Sequence, residues 1–247
     1  MKNYLLRVQY IGKNFYGFQK QKGILTVQGL IEDTLQRILR KPISTYGSAR
    51  TDKGVNALNQ YINFYFPDEI DTFIFQRKLN SIFLKSDIFI KEMTEVSLKF
   101  HARKSARGKI YAYIISDNPE NALFMKSNVY FYNVNIKYQL IELALSGLKG
   151  KHNFSSFSNR ARSQSDRNNI CELYEAGFIR KDFVTVLYFY ADRFLYHMVR
   201  RMVYYILKAG QGKIPTEILK DPFSAKEIPY TRQVLPGEPL FLVDVIY

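Results

Sequence analysis

Two periods of apolar residues alternate along this chain, and they trade places in a regular order. Tyr4 to Gln9 has the two-residue pattern of a half-buried strand. Val27, Leu30, Ile31, Leu35 and Ile38 then recur at helical spacing. Thr26 stands as N-cap and Gly29 is tolerated inside, so the pattern predicts a helix over 27–39. Strand character returns from Gln60 to Phe66 and stops at Pro67. A helix is predicted over 73–83 and a strand over 88–93. The second half repeats the rhythm: a strand over 109–116, then a helix over 136–148 closed near Gly150. Segments 173–180 and 183–191 read as a hairpin around Lys181-Asp182. A helix over 194–208, closed by Gly210, and a last strand over 240–246 complete the series.

This order predicts an α+β protein of two similar strand–helix halves, residues 1–104 and 105–247. No residue-level repeat accompanies the architectural one, and no low-complexity linker separates the halves. Independent motion of the halves is therefore not expected.

At 247 residues and 47% hydrophobic content, the chain can bury a large core and is not disordered. Its formal net charge of +14 changes the picture, because such a surface favours a polyanion, nucleic acid first. A membrane partner is not expected, since no stretch approaches the roughly 18 apolar residues of a spanning helix. The opening Met1–Arg7 breaks its apolar run too early for a signal peptide, so a cytoplasmic protein is expected. The single Cys171 permits no internal disulfide and sits in an alternating segment, as a buried inert thiol does. His101, His152 and His197 lack zinc-ligand spacing. Gly12–Gly17 begins like a phosphate-binding loop but continues Phe18-Gln19, without the Lys-Ser/Thr that would complete it. No metal and no cofactor is expected.

Against this basic background, Gly47–Ala57 places one carboxylate, Asp52, between Arg50 and Lys53 in a glycine-punctuated turn. Neighbouring cations favour an ionised carboxylate, which could act as nucleophile or base on a polyanionic substrate. Taken alone, Thr-Asp-Lys-Gly is equally good turn chemistry.

The run Arg50-Thr51-Asp52-Lys53-Gly54-Val55-Asn56-Ala57 closely resembles the catalytic motif of the TruA-type tRNA pseudouridine synthases, Arg-Thr-Asp-x-Gly-Val-His-Ala. Further segments match in the family's order: Tyr10-Ile-Gly, Phe15–Gln19, Thr26–Gly29, Phe100–Arg103, Lys109–Tyr113, His152–Phe157 and Phe194–Arg200. Leu240–Val243 matches more loosely. Asn56 departs from the usual His, Phe18 from a common Trp, and Pro239 and Phe241 from Gly and Tyr.

The resemblance implies two α+β halves sharing an extended, mixed, mainly antiparallel sheet with a basic central cleft, and a homodimer. It also implies isomerisation of uridine to pseudouridine, most readily in the tRNA anticodon stem-loop. Asp52 would be the catalytic carboxylate, by covalent addition or through a glycal intermediate, and Arg50 would pair with it or with a phosphate. Tyr111 would stack on the target base and help proton transfer, and Arg200 would stand at the cleft. Arg167, Phe194, Met198 and Arg103 would bind substrate.

From the residues alone, Tyr111 could equally be a core tyrosine sharing a strand face with Tyr113. Arg193, His197, Arg200, Arg201, Tyr204 and Lys208 could be a solvated helix face. The runs Arg103–Lys109 and Arg160–Arg162 suit phosphate contacts or mere solubility. Most of the 19 Tyr and 19 Phe belong to strand core. Two other readings remain beside the synthase: a noncatalytic RNA-binding protein of the same fold, and a synthase acting on another RNA such as rRNA. Salt-dependent RNA binding would separate all of these from an interaction module whose charge serves solubility alone.

Overall fold

The computed structural model describes residues 1–158 and 169–247. The described residues are α+β, with ten strands and six α-helices that fall into two compact units. Residues 1–107 and 241–247 form the first unit, and 108–240 the second. The first contains β1 (Lys2–Tyr10), α1 (Val27–Leu39), β2 (Thr45–Gly47), β3 (Asn56–Phe66), α2 (Thr72–Phe83) and β4 (Ile88–Val96). The second contains β5 (Gly108–Ser116), α3 (Pro119–Met125), β6 (Tyr130–Phe131), α4 (Tyr138–Leu148), β7 (Gly150–Asn153), β8 (Ile170–Lys181), β9 (Val184–Ala191), α5 (Met198–Gly210) and α6 (Thr216–Lys220). The last strand, β10 (Leu240–Ile246), belongs to the first unit from Phe241 onwards. The division thus falls at Arg107/Gly108, three residues beyond the expected boundary, and the last seven residues count with the first unit.

In the first unit β1 lies between β3 and β4, antiparallel to both. Its buried face is Tyr4, Leu6, Val8 and Tyr10, the two-residue period that predicted the strand. β2 pairs antiparallel with the middle of β3, and β10 runs parallel to its start, Phe241 opposite Asn56 and Leu242 opposite Ala57. Helix α1 begins and ends where its periodicity predicts. Thr26 Oγ1 accepts from the Gly29 N–H at 3.2 Å, closing the N-terminus. Val27, Ile31 and Leu35, one turn apart, are fully buried. Each such aliphatic side chain contributes roughly 1.5–3 kcal/mol by leaving water.

The second unit orders β5, β9, β8 and β7 by antiparallel pairing, with β6 parallel to the end of β5. The β8–β9 hairpin turns at Asp182, which takes φ +52°. No described helix is long and apolar enough to cross a membrane.

Two predicted boundaries move for physical reasons. Strand β3 starts at Asn56 rather than Gln60, because Asn56 and Ala57 pair with β10, a partner far away in sequence. Helix α5 starts at Met198 rather than Phe194. His197 takes φ +64°, which an α-helix cannot accommodate, so residues 193–197 form an irregular lead-in. Gly210 lies inside α5, and the left-handed residue beyond its end is Gly212, whose N–H bonds to the Ala209 carbonyl.

Candidate active site

Asp52 sits half-buried in the loop joining β2 to β3. Its carbonyl accepts from the Val55 N–H at 3.2 Å, and Gly54 takes φ +81°, so residues 52–55 form the turn that the sequence suggests. Polar groups hold this loop from both sides. The Tyr10 hydroxyl lies 2.7 Å from Thr51 Oγ1 in the interior. The Gln60 side-chain amide donates to the Ala49 carbonyl at 2.8 Å, while its oxygen accepts from the Ala49 N–H at 3.1 Å and from Ser48 Oγ at 2.6 Å. Gln60 thus clasps the backbone next to Arg50, and Tyr10 braces the residue before Asp52.

Two glycines let neighbouring backbone approach. A Cβ on Gly17, which has φ +93°, would stand 2.9 Å from the Thr51 carbonyl oxygen. A Cβ on Gly12 would collide with the Val55 carbonyl. The Gly12 N–H instead donates to Asn56 Oδ1 at 2.8 Å. At the position where the resembled motif carries His, Asn56 therefore ties the segment after β1 to the start of β3.

Lys53 Nζ lies 4.0 Å above the Tyr16 ring, a cation–π contact. Exposed Arg50 lines a cavity of about 370 Å³ together with Phe18, Tyr46, His101, Arg103 and Lys104. Arg50 and Arg103, two of the expected site residues, are thus brought to one cavity. The loop carrying Arg103 hangs on a buried asparagine pair. Asn63 Nδ2 donates to Asn3 Oδ1 at 2.9 Å, and Asn63 Oδ1 accepts from the Ala102 N–H at 2.9 Å. Asn3 in turn donates to the Ser97 and Phe100 carbonyls.

In the second unit, Tyr111 on β5 is only 7% exposed, and its ring meets Phe194 edge-on at 5.1 Å. Tyr113, on the same face, is fully buried. Its hydroxyl donates to the Pro236 carbonyl at 3.1 Å, and burial drives its pKa far up. Both face-sharing tyrosines are therefore packed. Met198, the first residue of α5, is 1% exposed, and its sulfur accepts from the Leu195 N–H at 3.5 Å. Arg200, the third residue of α5 and half-buried, donates from Nε to the Leu235 carbonyl at 2.6 Å. The cationic stripe on α5 is not one solvated face: Arg201 is buried and donates to the Ser158 carbonyl at 3.3 Å. Buried Cys171 has its thiol pKa pushed up to about 11, chiefly by desolvation, which suits an inert core residue. Arg167, Arg160 and Arg162 lie outside the described residues.

The family model described as tRNA pseudouridine synthase matches residues 7–103 and 144–247. This chain belongs to that family. A Caldicellulosiruptor bescii protein named tRNA pseudouridine synthase A is 34% identical over 247 residues, covering 100% of both chains. Namesakes from Lacticaseibacillus casei and Phytoplasma mali are 35% and 32% identical, over 100% and 99% of this chain and 100% and 98% of their own.

The matched segments carry Arg50, Asp52, Arg103, Phe194, Met198 and Arg200. Tyr111 lies in the unmatched stretch between them. Sequence reasoning missed the residues of this family member that hold the Asp52 loop, Tyr10 and Gln60, and the one that holds the loop carrying Arg103, Asn63. Their signal was present. Gln60 shares a strand face with Ile62, Phe64 and Phe66, all buried, and a polar side chain in such a face must find partners.

Proposed function

We propose that this family member converts uridines of the tRNA anticodon stem-loop to pseudouridine, with Asp52 as the catalytic carboxylate. The reaction breaks the bond from the sugar to the base nitrogen and joins the same sugar carbon to the fifth carbon of the base. A proton leaves that carbon and one is taken up by the nitrogen, so oxidation state is unchanged and no redox partner enters. The carboxylate must be aimed, not merely present. The observation that carries the reading is the bracing of the Asp52 loop by Tyr10 and Gln60 beside a cationic cavity.

In this reading Arg50 orients Asp52 or a nearby phosphate, and Tyr111 offers its ring to the displaced base. Phe194 supports that ring from its edge. Arg200 and Arg103 take phosphate or base contacts, Met198 fixes the entry to α5, and Arg167 is a further RNA contact. A homodimer acting in the cytoplasm belongs to the same proposal. The motif resemblance supports the dimer, and light scattering at assay concentration tests it.

The deciding experiment is Asp52→Asn with uridine tritiated at its fifth carbon in a tRNA transcript. Tritium release should vanish while RNA binding persists. Turnover near the unsubstituted level would overturn the assignment. Release from rRNA but not from tRNA would move the target.

A further inference from the structure

The cavity beside Arg50 is more elaborate than a patch of surface cations. Helix α1 and strand β2 build one wall. Buried Glu32 accepts from the Thr45 N–H at 2.9 Å and from its hydroxyl at 3.1 Å, and Gln28 donates to the Thr45 carbonyl at 2.9 Å. These bonds hold β2, and with it Tyr46. The Tyr46 ring rests against His101 at 4.8 Å and meets Tyr65 edge-on at 6.2 Å, yet Tyr46 stays 40% exposed. A strand aromatic braced on two sides and open to solvent is a platform rather than core.

The opposite wall is the turn 101–104. His101 Nδ1 accepts from the Arg103 N–H at 3.1 Å and from the Lys104 N–H at 3.4 Å. A ring nitrogen facing two donors cannot carry a proton, so the neutral ring bears its hydrogen on Nε2 as a donor. Burial, then the Lys104 and Arg103 charges, hold the His101 pKa below its ordinary value. Arg50, Arg103 and Lys104 add cationic donors, and none of the described residues lining the cavity is acidic.

We infer that this cavity is a nucleotide subsite for a residue of the RNA other than the reacting uridine. Its base stacks on Tyr46, and its phosphate is held by Arg103 and Lys104, with Arg50 lining the same cavity. The inference rests on the proposed function for the identity of the RNA. The volume, about 370 Å³, lies in the range of small-ligand pockets. An aromatic platform with adjacent cations is the combination by which single-stranded RNA is gripped without base pairing.

The probe is a fluorescent tRNA anticodon stem-loop transcript, titrated with the full chain across a salt series. Tyr46→Ala should weaken binding by roughly 5- to 150-fold, the range of one base–aromatic stack, and Tyr46→Phe should restore it. Arg103→Ala should lower the log–log salt slope by about 0.7, one single-strand phosphate contact. Arg103 is exposed and its variant should fold, so it decides the matter if Tyr46→Ala melts. If both variants bind within twofold of the unsubstituted chain with unchanged slopes, while tRNA is still modified, the subsite is refuted and the synthase reading stands. If the variants bind weakly but the unsubstituted chain makes no pseudouridine, the subsite stands and the enzymatic proposal fails.

Discussion

Tyr10 and Thr51 meet hydroxyl to hydroxyl at 2.7 Å in the interior, joining the end of the first strand to the residue before Asp52. Burial pushes the Tyr10 phenol up to about 12, so it stays protonated and able to donate at any physiological pH. Neither group needs to touch RNA. Tyr10 is therefore a positioning residue. Tyr10→Phe should cost about 1 kcal/mol of stability and slow single-turnover isomerisation by roughly ten- to a hundredfold. RNA affinity should hold, and so should the activity of Thr51→Ser, which keeps the hydroxyl. A stopped reaction time course with saturating enzyme measures it. Unaltered turnover in Tyr10→Phe would show that the Asp52 loop holds its geometry without this bond.

Asn56 offers a second handle on the same loop. Its side-chain oxygen accepts from the buried Gly12 N–H at 2.8 Å. Asn56→Ala strands that N–H and should destabilise the chain by about 1–3 kcal/mol. Gly12→Ala should be at least as damaging, because its Cβ would run into the Val55 carbonyl, which is backbone and cannot rotate away. Urea unfolding of both variants gives the comparison. Midpoints equal to that of the unsubstituted chain would mean that residues 12 and 56 are not coupled as the geometry says.

Helix α1 was legible to the residue because all of its information is local: a capping threonine and three apolar residues one turn apart. The start of α5 was not. Apolar spacing runs back through Leu195, yet His197 leaves helical φ, and the Met198 sulfur bonds back to the Leu195 N–H. That is a choice made by packing, invisible to periodicity. The site divides the same way. Asp52 and Arg50 stood out as charges in a turn. Gln60 and Asn63 did not, because their partners Ala49 and Ala102 are 11 and 39 residues away and are reached only when β3 forms.

His101 gives a pH dependence whose sign can be worked out. Its folded pKa lies below the ordinary 6.5, so the unfolded chain binds the proton more readily. Above 6.5 both states carry the neutral ring, and its contribution to stability is constant. As pH falls from 6.5 towards the folded pKa, the unfolded state gains protons first and stability declines. Below the folded pKa this contribution flattens. His101→Gln should remove that part of the decline, read from thermal melts between pH 7 and pH 5. A proton titration by NMR placing His101 at or above 6.5 would contradict the Nδ1 contacts with the Arg103 and Lys104 N–H groups.

Tyr111 poses the sharpest test, because its burial fits two readings. As a core residue it packs its ring edge-on with Phe194 at 5.1 Å and is 7% exposed. As part of the active site it presents that ring to the displaced base and relays a proton through its hydroxyl. Tyr111→Phe separates them, since it keeps the ring and removes only the hydroxyl. The active-site reading expects RNA affinity and melting temperature close to those of the unsubstituted chain, with turnover lowered by roughly a hundred- to ten-thousandfold, the usual share of a general acid or base. Tyr111→Ala should lose about 3–5 kcal/mol of stability in either case, so stability alone decides nothing. Its single-turnover rate, taken below its melting temperature, does decide. A rate matching the unsubstituted chain in both variants would make Tyr111 a packing residue and leave base stacking to another ring of the second unit.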